Sequence, residues 1–194
     1  MVSSGRRVGL TVLPMEKWAV YDPAIIGWRL DNDKTCGQQV ARLNELRLGI
    51  EPVAARLAAG NATAQQRAEL LRLAARLAEL ESTPSPRVGE ELETDLRFHT
   101  LILRASGNEM LAALAPSLVA MLKGKSVFGS RKRDPISGTT QLHMALARAI
   151  DAGLADAAEE TSRTILDRIE GRAVAPLTLL APELMLRETT APPP

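Results

Sequence analysis

Cysteine is almost missing from this chain, and aromatic side chains are scarce. A single thiol, Cys36, cannot build a disulfide framework within one chain, which suits a reducing compartment and leads us to expect a cytoplasmic protein. Aromatics make up 3% of the residues, so the core has to come from Leu, Ala, Ile and Val. That palette favours helices over strands. No apolar run approaches the roughly 18 residues of a membrane span, so no membrane partner is expected. The basic pair Arg6-Arg7 is not followed by the sustained apolar stretch of a signal peptide. Charge of one sign is lacking as well. The formal net charge is +1, which gives no electrostatic argument for nucleic-acid binding across the whole surface. A Gly-rich phosphate loop, a nucleophile elbow and an HExxH zinc motif are all absent, removing the enzyme classes that those motifs mark.

What is present is enough for one domain. The chain has 194 residues, 45% of them hydrophobic, which supports a single compact core. Residues 1–14 are punctuated by Gly5, Gly9 and Pro14, and Val8, Leu10 and Val12 alternate as in a short strand. Between 15 and 34 the pair Asp22-Pro23 signals a turn or a helix start, followed by Ile25, Ile26, Trp28 and Leu30. A long helix is expected over about 35–59, where Val40, Leu43, Leu46, Ile50, Val53, Ala54 and Leu57 recur at three- and four-residue steps, with Gly60-Asn61 as its stop. Thr63 reads as the N-cap of a second helix, broken by Ser82-Thr83-Pro84-Ser85-Pro86. Further helices are expected over about 88–105, from Gly107-Asn108 to about 127, over 137–152 and over 155–171. Short connections between helices favour an antiparallel helical bundle, all-α, of about six to seven helices. The proline-rich tail over 173–194 is expected to be partly disordered. A basic cluster at Lys123, Lys125, Arg131, Lys132 and Arg133 sits among glycines and reads as a solvated loop.

The chemistry-bearing residues are few. Asp95 and His99 lie four apart, on one face of the third long helix. The only other histidine, His143, lies on the helix over 137–152 among apolar neighbours. If those two helices face each other, Asp95, His99 and His143 converge in the bundle core. One carboxylate and two imidazoles make a start for a divalent metal site. Spacing alone leaves a second reading open, in which each histidine simply hydrogen-bonds a neighbour.

Three blocks carry a family resemblance. Leu43-Asn44-Glu45-Leu46-Arg47-Leu48-Gly49-Ile50-Glu51-Pro52, followed by Ala55-Arg56-Leu57-Ala58-Ala59, resembles the opening helix of the FadR C-terminal (FCD) domain of GntR-family transcription regulators. Asp95-Leu96-Arg97-Phe98-His99, then Ala105-Ser106-Gly107-Asn108, resembles the family's second block. His143 through Ala149-Ile150 to Gly153 resembles its third. The three occur in the family's order and cover about residues 35–170. Ser4-Gly5-Arg6-Arg7-Val8 resembles the last wing strand of the family's winged-helix domain, and Trp18, Asp22-Pro23 and Trp28-Arg29-Leu30 resemble the linker of members that sense sugar acids.

The resemblance implies an organisation: a wing-strand remnant over 1–14, a linker over 15–34, an FCD-like effector-binding and dimerisation domain over 35–172 and a tail over 173–194. It implies no catalysis. A small anionic metabolite, a sugar acid or carboxylate, binds in the core, over a divalent metal (Zn, Ni or Mn) held by Asp95, His99 and His143. Arg47, Arg97 and Asn108 are the expected effector contacts, although Arg47 with Glu51 and Arg97 with Glu93 also read as ordinary ion pairs. Many members add a third histidine on the last helix. That position falls on Ile165 here, which cannot ligate. The protein is expected to form a homodimer and to reach DNA only through a winged-helix domain that this chain lacks. Two alternatives stay open: a helical dimerisation module without ligand, and a metal-dependent enzyme, since two His and one carboxylate also make the facial triad of non-haem iron oxygenases.

Overall fold

A computed structural model describes residues 2–5, 9–120 and 139–169. Two short strands, β1 (Val2–Gly5) and β2 (Gly9–Val12), pair antiparallel in the register Val2 to Val12. The alternation at Leu10 and Val12 thus belongs to a hairpin whose first strand the sequence pattern did not single out. Val8 lies outside the described residues.

After a 3-10 turn at Met15–Lys17, the Asp22-Pro23 signal starts a helix, α1 (Pro23–Leu30). Asp22 Oδ1 accepts from the Ala24 N–H at 2.7 Å, and Pro23 occupies the position where a missing N–H costs nothing. Ile26 and Leu30 enter the core. The long helix α2 (Asp33–Asn61) carries Pro52 in its interior. The proline cannot donate to the Leu48 carbonyl, so this turn is held by packing more than by the ladder. Then α3 (Ala64–Ser82) begins with a capping box: Gln66 N donates to Thr63 Oγ1 and Gln66 Oε1 accepts from Thr63 N. The helix α4 (Glu90–Ala105) starts two residues later than expected, because Gly89 adopts φ +84 and Val88 is fully exposed.

The next helix departs from expectation. Asn108 caps a short α5 (Glu109–Ala113), and Leu114 forms a turn before helix resumes over 115–120 (α6). Pro116 explains the interruption: it cannot donate to the Ala112 carbonyl. The remainder of that expected helix and the basic cluster at 123–134 lie outside the described residues. Two amphipathic helices close the fold, α7 (Thr139–Asp151) and α8 (Ala155–Ile169). Between them Gly153 takes φ +73. Leu154 N donates to Ala149 O and Gly153 N to Ile150 O, the paired bonds of a glycine-terminated helix end.

The helices form an all-α bundle in which α4 and α7 each pack on both α2 and α3, and α8 closes against α2 and α7. Short links do predict neighbours for α3 with α4 and α7 with α8. They do not for α2 with α3, which diverge from the capped connection at Ala62-Thr63. The core threads through all of these helices, from Leu43 and Ala54 to Leu70, Phe98, Leu103, Leu146, Ile150 and Ile165. Among the described residues no helix is long and apolar enough to cross a membrane.

Candidate functional site

The ring of helices leaves α4 and α7 facing each other across the bundle, and their polar side chains meet there. Asp95 and His99 come from one face of α4, His143 from α7. The three ligand atoms form a nearly equilateral triangle. His143 Nε2 lies 3.3 Å from Asp95 Oδ1, His99 Nε2 lies 3.5 Å from the same oxygen, and the two Nε2 atoms are 3.4 Å apart. Both imidazoles are buried, whereas the Asp95 side chain keeps 26% of its surface open. Phe98 packs edge-on against both imidazoles, with ring centroids 5.7 and 5.1 Å away. It forms an apolar wall that keeps water from one side of the cluster.

A second layer stands behind His99. Its Nδ1–H donates to Glu51 Oε2 at 2.8 Å. Glu51 in turn accepts from Arg47, whose Nε is 2.5 Å from Oε1 and whose Nη2 is 3.4 Å from Oε2. Arg47 and Glu51 are one turn apart on α2, and both are almost completely buried. Because Glu51 occupies Nδ1, the nitrogen that faces Asp95 and His143 is Nε2, so the tautomer that a metal requires is set by the fold.

The charges in this cluster are coupled. Burial pushes the Glu51 carboxyl up, but the Arg47 guanidinium and the imidazole of His99 outweigh it and hold the group at about 2. Burial pushes His99 down, yet the carboxylates of Glu51 and Asp95 win and raise it to about 9. Asp95, against its own burial, is held well below the usual carboxylate range by His99 and His143. Without another cation the cluster therefore keeps a proton on His99, between two carboxylates.

The geometry fits a metal ion. Bonds of about 2.0–2.1 Å at tetrahedral angles place ligand atoms about 3.3–3.4 Å apart, and the triangle's edges are 3.3, 3.4 and 3.5 Å. Asp95, His99 and His143 are also the group whose ligand atoms converge closely enough to hold a cation among the described residues. A fourth side chain does not join them from α8. Ile165 is fully buried in the core, and the Thr161 hydroxyl donates to the Ala157 carbonyl.

The expected effector contacts are placed differently. Arg47 is engaged with Glu51 behind His99. Arg97 is exposed and pairs with Glu69 at 3.0 Å, on the outside of α4 and α3, and its expected partner Glu93 instead pairs with Arg87. Position 97 faces solvent because the stripe of Asp95, Phe98, His99 and Ile102 faces the core. Asn108 lies beyond the far end of α4, where its Oδ1 accepts from Met110 N and Leu111 N as a helix cap. The structure brings neither Arg97 nor Asn108 to the cluster. Glu51 is the residue that sequence reasoning undervalued: it was visible as an i+4 partner of Arg47, but its approach to α4 depends on packing. A cavity of about 800 Å³ also opens between the end of α3, the Ser82–Pro86 turn and Met144, and the cluster residues do not line it.

Comparison with known proteins decides the family. The model of the FCD domain matches residues 42–168. This chain belongs to the FCD domain family. Over 169 residues it is 27% identical to the galactonate operon transcriptional repressor of Escherichia coli (strain K12), covering 86% of this chain and 71% of the repressor. Over 166 residues it is 28% identical to the uncharacterized HTH-type transcriptional regulator YieP of the same organism, with 86% and 70% covered. The FCD fold is shared with two solved structures. Streptococcus agalactiae GntR superposes with a TM-score of 0.61 at 20% identity, covering 89% of this chain and 75% of that one. E. coli McbR/YncC superposes at 0.59 and 16% identity, covering 88% and 75%. The two sequence relatives are transcriptional regulators, which are not enzymes.

Proposed function

We propose that this FCD domain senses a small organic acid, a sugar acid or other carboxylate, through a divalent metal ion held by Asp95 Oδ1, His99 Nε2 and His143 Nε2. The observation that carries the proposal is the triangle of three ligand atoms with edges of 3.3–3.5 Å, backed at His99 by Glu51. When bound, the ion would supply a Lewis-acid position with room for an effector oxygen, since among the described residues three side chains would hold it. The chain's own residues do the rest. Glu51 fixes the His99 ring through Nδ1, Arg47 neutralises Glu51, and Phe98 keeps the floor of the site apolar. Arg47 is thus proposed as an anchor of the site, acting through Glu51 and His99 and not on the effector. The name of the galactonate operon repressor supports an organic acid as the class of signal.

The site joins α2, α4 and α7, so an effector that binds one arrangement of these helices more tightly shifts the population toward it. The 29-residue helix α2 spans about 44 Å. It carries Glu51 in its second half and packs on α1, which gives a rigid route from the site to the N-terminal segment. In a homodimer, that route would set the spacing of two DNA-binding heads.

The test is a set of thermal melts with sugar acids and dicarboxylates, each with and without zinc, nickel or manganese, on the parent and on His99→Ala. We expect stabilisation that needs metal and acid together and is lost in the variant, because a ligand of the native state raises stability by mass action. Metal analysis should find the ion in the parent and not in His99→Ala. Equal metal content in the two proteins, or acid-induced stabilisation that survives the substitution, defeats the proposal.

A further inference from the structure

A second arginine is buried away from the cluster, and it lacks the partner that Arg47 has. Arg29, on α1, is 7% exposed. Among the described residues its Nε and Nη2 have no hydrogen-bond partner, and both atoms are shut off from solvent. Its Nη1 donates to the thioether of Met15, at 3.0 Å. A guanidinium carries five N–H donors and no acceptor, so it calls for oxygen partners. A buried cation without a partner is costly, and native proteins pair such groups.

The unpaired atoms form one particular edge. Nε–H and Nη2–H point the same way and match the two oxygens of a planar carboxylate. Other arginines among the described residues use that edge on a carboxylate. Arg47 turns Nε and Nη2 to the two oxygens of Glu51, and Arg72 turns the same pair to the two oxygens of Glu69, at 2.7 and 2.6 Å. Among the described residues no carboxylate takes this edge of Arg29. Asp22 is used as the cap of α1, and none of Glu16, Asp31 and Asp33 bonds it among the described residues.

We propose that Arg29 is a carboxylate-receiving site separate from the Asp95–His99–His143 cluster, donating side-on through Nε and Nη2 to a carboxylate that the described residues do not supply. The separation follows from α2. Thr35 donates its hydroxyl to the Arg29 carbonyl at 2.7 Å, and Thr35 precedes Arg47 by 12 residues, about 18 Å of helix. Met15, whose thioether lies on Nη1, is unbranched and 46% exposed, so this side of the guanidinium is bounded by a side chain that can give way. In this proposal the carboxylate comes either from a free acid or from an Asp or Glu of a second copy of this chain, and the experiment separates these sources.

The probe for the first source is sodium acetate against sodium chloride at matched ionic strength. Side-chain Nε–H resonances are followed in parent, Arg29→Met and His99→Ala, with the Arg29 peak assigned by its loss in Arg29→Met. A free-acid site shifts that peak with acetate and raises Tm in parent and in His99→Ala, but not in Arg29→Met. Persistence in His99→Ala distinguishes this site from the metal cluster. The probe for the second source is sedimentation without acetate over a roughly hundredfold range of protein concentration. A polypeptide source appears as self-association weakened at least about tenfold in Arg29→Met. The proposal is overturned if acetate leaves the Arg29 Nε–H peak unmoved and association does not depend on Arg29. Should Arg29→Met fail to fold, the two parent readouts decide alone: an unmoved set of Nε–H peaks and a monomer at every concentration overturn it.

Discussion

Replacing Glu51 by glutamine tests the layer behind the metal site more sharply than any ligand substitution. Glutamine keeps the shape and loses the charge. Arg47, 2% exposed, would then be a buried guanidinium facing a neutral amide, and His99 would lose the anion at its Nδ1. Removing one partner of a buried ion pair costs about 3–5 kcal/mol. Glutamine still offers one carbonyl oxygen, so about 3 kcal/mol is expected, or a fall in Tm of about 6–12 °C at this chain length. A second, separable effect falls on the metal. Outer-layer partners of a metal-ligating histidine are worth about 10- to 100-fold in affinity. Urea unfolding in the presence of chelator reads the first effect, and calorimetric titration with zinc reads the second. The double variant Arg47→Met with Glu51→Gln completes a cycle. It removes both charges together, so it should cost less than the sum of the single changes by about 1–3 kcal/mol. A loss below about 1 kcal/mol in Glu51→Gln, together with an unchanged zinc affinity, would refute the assignment of Glu51 as the support of His99.

Three further outcomes are expected. Metal-free stability should be greatest between about pH 4.5 and 6.5. His99, raised from 6.5 to about 9, contributes fully below 6.5 and loses its contribution as pH rises through 9, whereas Glu51, lowered from 4.5 to about 2, contributes above 4.5 and loses it as pH falls toward 2. Melts across pH with chelator check this, and zinc affinity should run the other way, rising between pH 6.5 and 9 as the His99 proton ceases to compete. Substituting Ile165→His should raise zinc affinity by about tenfold or more, about 1.4 kcal/mol, read by competition with a chromophoric chelator; an unchanged affinity would show that α8 does not reach the ion. Arg67→Ala should cost about 2–4 kcal/mol in urea unfolding, because this guanidinium donates to the carbonyls of Ala59, Ala62, Ile150 and Asp151 and so ties the ends of α2 and α7 together; a loss under 1 kcal/mol would show these bonds to be replaceable by water.

Much of this protein is written in short-range relations. The capping box at Thr63 and Gln66, the glycine stop at Gly153, the Asp22-Pro23 start and the i, i+4 pairs Asp95 with His99 and Arg47 with Glu51 all depend on residues within one helical turn, where backbone geometry alone fixes who meets whom. Even the break at Pro116 was legible in principle, since a missing N–H acts locally. What the sequence could not decide was the rotation of one helix against another. A turn of α4 by one residue would have brought Arg97 inward, and the apolar stripe around Phe98 prevents it by burying the opposite face. Likewise, Glu51 meets His99 only because α2 and α4 pack with those two turns in register, and Arg29 is stranded only because α1 folds down onto α2. Contacts between helices are set by the summed packing of dozens of side chains, a quantity spread over the whole core that no single segment carries.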